Sequence, residues 1–225
     1  IDSMRKYAKQ TSRLNHEMIQ NSKELINAMG IPTVFAPSES DAQISFMNEK
    51  GDVDYCASSD YDCLLFGAKN LILNLTLSQK RKLPGGQFVY TQLTMIELKD
   101  VLFNLKINQD QLIVLGILTG TDYNPKGIKG IGPKKALNLV KQYNKFDKLF
   151  NELNPDFNWK QIYAIFKSMP VMKNYQLKWN PPDEEKIMRI LVDEHEFSQE
   201  RVEKTLERLT KKPVNQKGLG AWTKQ

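Results

Sequence analysis

Cysteine and histidine are scarce in this chain, with two of each among 225 residues. Cys56 and Cys63 make no disulfide framework, so a reducing, intracellular setting is the natural expectation. Two histidines exclude a His-rich zinc site. No apolar run approaches the ~20 residues that a membrane-spanning helix needs, and no signal peptide is legible. Apolar residues make up 40% and charged residues 26%, ordinary values for a soluble globular protein. The length suits one large domain or two small ones and is enough to bury a substantial core.

What the chain has is acid in telling places. Glu39 and Asp41 lie in Ala36-Pro37-Ser38-Glu39-Ser40-Asp41-Ala42, Asp60 and Asp62 in Ser58-Ser59-Asp60-Tyr61-Asp62, and Asp122 in Gly120-Thr121-Asp122-Tyr123-Asn124. Residues i and i+2 of an extended segment point to one side, so each acid-x-acid pair can aim two oxygens at one point. Asp62 runs straight into Cys63-Leu64-Leu65-Phe66, and Asp122 follows Leu112-Ile113-Val114-Leu115-Gly116-Ile117-Leu118. Acids at the ends of buried elements are costly without a purpose. Hard cations such as Mg²⁺ and Mn²⁺ prefer oxygen ligands, and gathered carboxylates are what two-metal phosphodiester chemistry requires. Acid-rich stretches are also common on solvated loops, and Asp183-Glu184-Glu185 and Glu194-His195-Glu196 read as surface of that kind. Net charge is +6. If five acids share one site, the remaining surface is more basic than the total suggests, as suits a polyanion-gripping protein. Modest basicity alone implies no nucleic acid.

Apolar spacing predicts a helix over 5–29 with Leu14, Met18, Leu25 and Met29 on one face, stopped by Gly30. Arg5, Lys6, Lys9 and Arg13 form either a DNA-backbone-contacting face or a solvated one. A strand is expected over Ile31 to Ala36, then a helix over 39–49 ending at Gly51. Ser38 is its expected cap, with Asp41 in the acidic slot of a capping box as the structural alternative to metal binding. Further strands are expected at Tyr55–Ser58 and Asn70–Leu75, a basic hairpin at Lys80–Tyr90 with Lys80, Arg81 and Lys82 on its first arm, and helices at 94–105 and 109–119. This alternation predicts an α/β fold with a mostly parallel sheet flanked by helices, and a ligand site at the strands' carboxyl ends, where Asp60 and Asp62 fall.

After Asp122 comes Gly127-Ile128-Lys129-Gly130-Ile131-Gly132-Pro133-Lys134-Lys135, a glycine-rich turn feeding a helix. Its spacing departs from that of a nucleotide-binding P-loop. Its glycines let backbone N–H groups approach phosphate, with Lys134 and Lys135 adding charge. The plainer alternative is a helix–turn–helix linker. Residues 145–210 are expected to be helical, broken at Asn154-Pro155 and Asn180-Pro181-Pro182. Residues 211–225 read as a tail with Leu219 and Trp222 as anchors for a partner.

The blocks around Gly30-Ile31-Pro32, Pro37-Ser38-Glu39, Ser59-Asp60-Tyr61-Asp62, Lys80-Arg81-Lys82-Leu83-Pro84, Gly120-Thr121-Asp122-Tyr123-Asn124 and Gly127–Gly132 together resemble the flap endonuclease family, especially its archaeal members. The resemblance runs from about residue 5 to the tail. It implies a PIN-like 5′-nuclease core over residues 1–210, with a helix–two-turn–helix element at about 122–145. It also implies a structure-specific 5′ flap endonuclease and 5′-3′ exonuclease of DNA replication and repair. Glu39, Asp41, Asp60, Asp62 and Asp122 would be the catalytic metal ligands for two Mg²⁺ or Mn²⁺ ions. The family more often has Glu at the position of Asp41. Gly130, Gly132, Lys134 and Lys135 would hold duplex DNA, with K⁺ on the carbonyls of Ile128 and Ile131. Phe197 and Arg208 match positions near a pocket for a 3′ flap. Gln216, Leu219 and Trp222 match the motif that docks on the sliding clamp PCNA, with Thr223 in place of its second aromatic. The resemblance also implies an N-terminal part, carrying two more aspartates and the start of a helical arch, as a separate or removed segment. It implies no membrane, and a cytoplasmic setting if archaeal or a nuclear one if eukaryotic. The alternative is a non-catalytic DNA- and clamp-binding module.

Overall fold

The computed structural model describes residues 14–75, 80–83, 86–143 and 145–210, and the backbone alone at 80–82 and 210. Arg5, Lys6, Lys9, Arg13, Gln216, Leu219 and Trp222 lie outside the described residues. The chain divides into two compact units, Ala36–Lys173 and Ile1–Phe35 with Asn174–Gln225.

The Ala36–Lys173 unit is an α/β assembly. Its sheet has the order β1 (Cys56–Ala57), β2 (Asn70–Leu73), β5 (Thr94–Glu97). β1 runs parallel to β2, with Cys56 opposite Leu71, and β2 runs antiparallel to β5, with Leu71 opposite Ile96. The sheet is therefore mixed rather than mostly parallel among the described residues. The segment 94–97, expected as the start of a helix, is the antiparallel edge. β3 (Lys80–Lys82) and β4 (Phe88–Tyr90) form the expected antiparallel hairpin.

Helices cover this sheet. α2 (Ser40–Lys50) stops at Gly51, which takes the left-handed conformation at φ 86°. Its N-cap is Glu39 rather than Ser38, whose hydroxyl donates instead to Met169 Sδ at 2.8 Å. The expected capping box is thus absent there, though Asp41 still lies in the first turn. α3 (Asp62–Leu65) is a single turn, α4 covers Leu98–Leu105, and α5 covers Gln109–Thr119. α5 opens with a true capping box: Gln111 N–H donates to Asn108 Oδ1, and Asn108 N–H to Gln111 Oε1, both at 2.9 Å. Ile113, Val114, Ile117 and Leu118 on α5 are almost wholly buried with Cys56, Cys63 and Leu71. Such an all-round apolar helix is the centre of the core. α6 (Pro133–Gln142) has proline at its first turn, where the missing N–H costs nothing. α7 (Phe146–Leu153) and α8 (Trp159–Ser168) complete this unit, with Phe150 stacked on Trp159 at 4.3 Å.

The other described unit holds α1 (His16–Ala28), α9 (Glu184–Met188), a wider π-helical stretch at Arg189–Glu194, and α10 (Gln199–Thr210). Its core is Ala28, Ile187, Ile190, Val202 and Leu206, with Leu25 and Met29 beside it. Leu14 and Met18 are exposed, so the expected apolar face of α1 narrows to its second half. Ile31 to Ala36 is not a strand; it follows Gly30, whose carbonyl accepts from Asn180 N–H. An added Cβ at Gly30 would sit 1.9 Å from the Asn180 oxygen, so only glycine allows this chain crossing.

Candidate metal centre and phosphate-gripping turn

Three chain segments deliver the acids: the start of α2, the turn from β1 into α3, and the loop after α5. After β1 the ladder continues one residue, with Ser58 N–H donating to the Ile72 carbonyl at 3.3 Å. The chain then turns: Asp60 N–H donates to Ser58 Oγ at 3.2 Å, and Asp62 N–H to Asp60 Oδ1 at 3.3 Å. Cys63, Leu64 and Leu65 sink into the core, which fixes Asp62 at its edge. Gln109 on α5 clamps this turn by donating to the carbonyls of Leu64 and Leu65 at 2.9 Å. Asp122 sits just past α5, on a loop tied down by buried Thr121 and Asn124. Thr121 Oγ1 donates to Asn124 Oδ1, and Asn124 Nδ2 to the Ile117 carbonyl, both at 2.7 Å.

Carboxylate oxygens of Asp60, Asp62 and Asp122 all lie within 4.8 Å of one another. Glu39 and Asp41 border the same cluster. Tyr123 donates its hydroxyl to Glu39 Oε1, and Ser58 Oγ donates to Asp41 Oδ2 at 3.5 Å. Electrostatics ties all five together. Burial first, then the charges of Asp60, Asp122, Glu39 and Asp41, push the Asp62 carboxyl from 3.8 up to about 6. Burial, the hydrogen bond to Glu39 and the charges of Asp62 and Asp122 raise the Tyr123 phenol. The hydrogen bond between Cys63 and Cys56, then burial and the nearby Asp41 charge, raise the Cys63 thiol. Among the described residues, none of the ion pairs involves these five acids. An all-oxygen set with surplus negative charge and, among the described residues, no ion-pair partner fits a hard divalent metal.

Tyr123 and Ser58 were not singled out by sequence reasoning. Tyr123 adjoins Asp122 and Ser58 lies two residues before Asp60, but each contacts a different acid, 84 and 17 residues away. No local signal encodes such a pairing.

The glycine-rich turn lies between α5 and α6. Gly130 is at φ 78°, and Gly132 is the N-cap of α6. Lys134 and Lys135 are exposed in the helix's first turn, whose free N–H groups and dipole favour an anion. The Ile128 carbonyl accepts from Ile131 N–H at 3.0 Å, which leaves it one lone pair for a further contact. In the other unit, Phe197 lines an apolar cavity of about 230 Å³ with Leu25, Met29 and Leu191. The cationic side chain on that wall is Arg201; Arg208 is exposed on α10 and does not line it.

Comparison with known proteins gives the family. A family model described as the XPG I-region matches residues 30–122. Flap endonuclease 1 of Pyrococcus abyssi is 48% identical over 225 residues, covering 99% of this chain and 65% of that protein. Flap endonuclease 1 of Pyrococcus furiosus is also 48% identical, over 233 residues, covering 100% of this chain and 67% of that protein. Among solved structures, flap endonuclease-1 from Methanococcus jannaschii superposes with a TM-score of 0.78 at 41% identity, covering 92% of this chain and 62% of that one. The chain thus spans about two thirds of the length of these curated relatives. With identity this high over nearly all of its own length, the chain belongs to the flap endonuclease 1 family.

Proposed function

We propose that this chain is the metal-binding and duplex-gripping portion of a structure-specific 5′ flap endonuclease that also acts as a 5′-3′ exonuclease on DNA. The observation that carries the reading is the convergence of Asp60, Asp62 and Asp122 within 4.8 Å of one another, with Glu39 and Asp41 at its border. Two divalent cations, Mg²⁺ or Mn²⁺, would supply Lewis-acid polarisation of the phosphodiester and a water of lowered pKa. The five carboxylates act as ligands rather than nucleophiles. An N-terminal segment outside this chain, supplying two more aspartates, belongs to the same reading. The tail residues Gln216, Leu219 and Trp222 are proposed to dock on the sliding clamp, a reading supported by the sequence match alone.

The turn at Gly127–Gly132 and the start of α6 grip duplex phosphates, with K⁺ held by the carbonyls of Ile128 and Ile131. Exposed Lys134 and Lys135 each neutralise one phosphate. Each such contact releases a counterion and contributes about 0.9 to the slope of log affinity against log salt. Changing both lysines to alanine lowers that slope by about 2 in a fluorescence-anisotropy titration across KCl concentrations. An unchanged slope removes these lysines from the interface.

A flap-cleavage assay in Mg²⁺, with and without the N-terminal segment, tests the whole reading. Cleavage on adding the segment is expected. Flap binding without cutting in both conditions would instead identify a non-catalytic DNA- and clamp-binding module.

A further inference from the structure

We infer that Tyr123 is a positioning residue for Glu39: its hydroxyl occupies one oxygen of that carboxylate and leaves the other for a cation. The inference rests on the reading of the acidic cluster as a metal centre. Glu39 needs such a partner. It is the N-cap of α2, yet its side chain makes no capping hydrogen bond, so nothing in its own helix fixes it. A free glutamate has three rotatable bonds to immobilise before it can serve as a ligand.

Tyr123 is suited to the task because its own position is over-determined. Its ring stands edge-on to Phe166, with centroids 5.7 Å apart and planes at 82°. Phe166 is buried and leans on Phe66 at 4.9 Å. The Tyr123 N–H donates to Thr121 Oγ1 at 3.3 Å, within the loop that presents Asp122. An aromatic column from one side and a tied loop from the other therefore aim a rigid O–H at Glu39 Oε1. The same residue couples two arms of the cluster, since Asp122 and Tyr123 move together on one loop. Partners of this kind, hydrogen-bonded to a ligand rather than to the metal, commonly change metal affinity by 10–100-fold when lost.

The test is Mn²⁺ titration of the chain, read from the electron paramagnetic resonance of the free ion. It compares the unsubstituted chain with Tyr123→Phe, Glu39→Ala and the double variant. Tyr123→Phe keeps the ring against Phe166 and removes the hydroxyl alone, so thermal melting should stay cooperative while Mn²⁺ binds about 10–100-fold more weakly. In the Glu39→Ala background the same change should add nothing, because Tyr123 acts through Glu39. An unchanged affinity in Tyr123→Phe, or an equal loss with Glu39 already removed, overturns the inference. No Mn²⁺ binding by the unsubstituted chain would sink the metal centre first, and this inference with it. Should Tyr123→Phe fail to fold, ¹³Cζ-tyrosine NMR without metal decides: Glu39→Ala must shift the Tyr123 signal, and an unmoved signal rejects the hydrogen bond.

Discussion

If Asp62 is a ligand of the proposed metal centre, replacing it with asparagine should cut flap cleavage by well over about 100-fold and, in the same protein, stabilise the metal-free fold at neutral pH. The opposing signs follow from one cause. Asp62 is half-buried among four other acids, and burial followed by their charges pushes its carboxyl from 3.8 to about 6. A folded-state value above the unfolded one means that the native state holds the proton more tightly. The stabilising contribution is therefore complete below about pH 4 and is lost as pH rises through about 6. Above that the ionised group is a fixed burden on the metal-free fold. The full shift would correspond to about 3 kcal/mol. Asp62 is partly exposed and its repulsions are screened by water, so about 1 kcal/mol is the realistic scale, or about 2–4 °C in melting temperature for a chain of this size. Asparagine carries no charge and should remove this component of the pH dependence.

On the proposed reading the same substitution takes away a ligand oxygen. Losing a direct ligand should cost more than losing a hydrogen-bonded neighbour, so cleavage with the N-terminal segment supplied should fall by well over about 100-fold. Flap binding should survive, because the turn proposed to grip phosphates is made by other residues. Calorimetric melts in EDTA between pH 4 and 7.5, paired with cleavage assays, measure both halves. Parallel pH curves for the two proteins would remove the electrostatic argument. Full cutting by the asparagine variant would remove Asp62 from the centre.

The placement of Asp62 and Asp122 at the edge of the core was legible because each has a local signature. Asp62 precedes the buried run Cys63-Leu64-Leu65, and Asp122 follows the apolar helix α5, so both had to sit where core meets solvent. Gly51 ended its helix where the sequence placed it. What sequence could not supply was pairing at a distance. Thr94–Glu97 carries Met95 and Ile96 and reads as the first turn of the helix after it, yet it pairs with Leu71 and Ile72, more than twenty residues earlier. Ile31 to Ala36 has the apolar look of a strand, but no neighbouring strand pairs with it among the described residues. Ser38 lost its expected cap to a methionine sulfur 131 residues away. The Tyr123–Glu39 bond belongs to the same class. Helical period and turn chemistry are written locally, whereas ladder partners and ligand supports are decided by the folded core.

Gly127→Ala should be among the most damaging single changes in this chain, although the residue is none of the five candidate acids. Gly127 sits at φ 54°, a conformation that costs any residue with a Cβ about 1 kcal/mol or more. An added Cβ would also lie 2.5 Å from the Thr119 carbonyl carbon, 2.6 Å from its oxygen and 2.7 Å from the Leu118 oxygen. These are backbone atoms of the end of α5 and cannot swing aside as a side chain would. Relieving such overlap costs about 1–3 kcal/mol more, giving a total of about 2–4 kcal/mol in urea denaturation. Gly130 is the control. It has φ 78° but open space where the Cβ would go, so alanine there should cost only about 1 kcal/mol. Equal losses at the two positions would refute the close-approach argument. The damage at Gly127 should also reach the acids. Its N–H donates to the Asn124 carbonyl at 2.8 Å, and the Asn124 side chain holds Thr121, next to Asp122. A turn forced open at Gly127 therefore displaces Asp122, and Mn²⁺ affinity should fall in Gly127→Ala while staying near normal in Gly130→Ala.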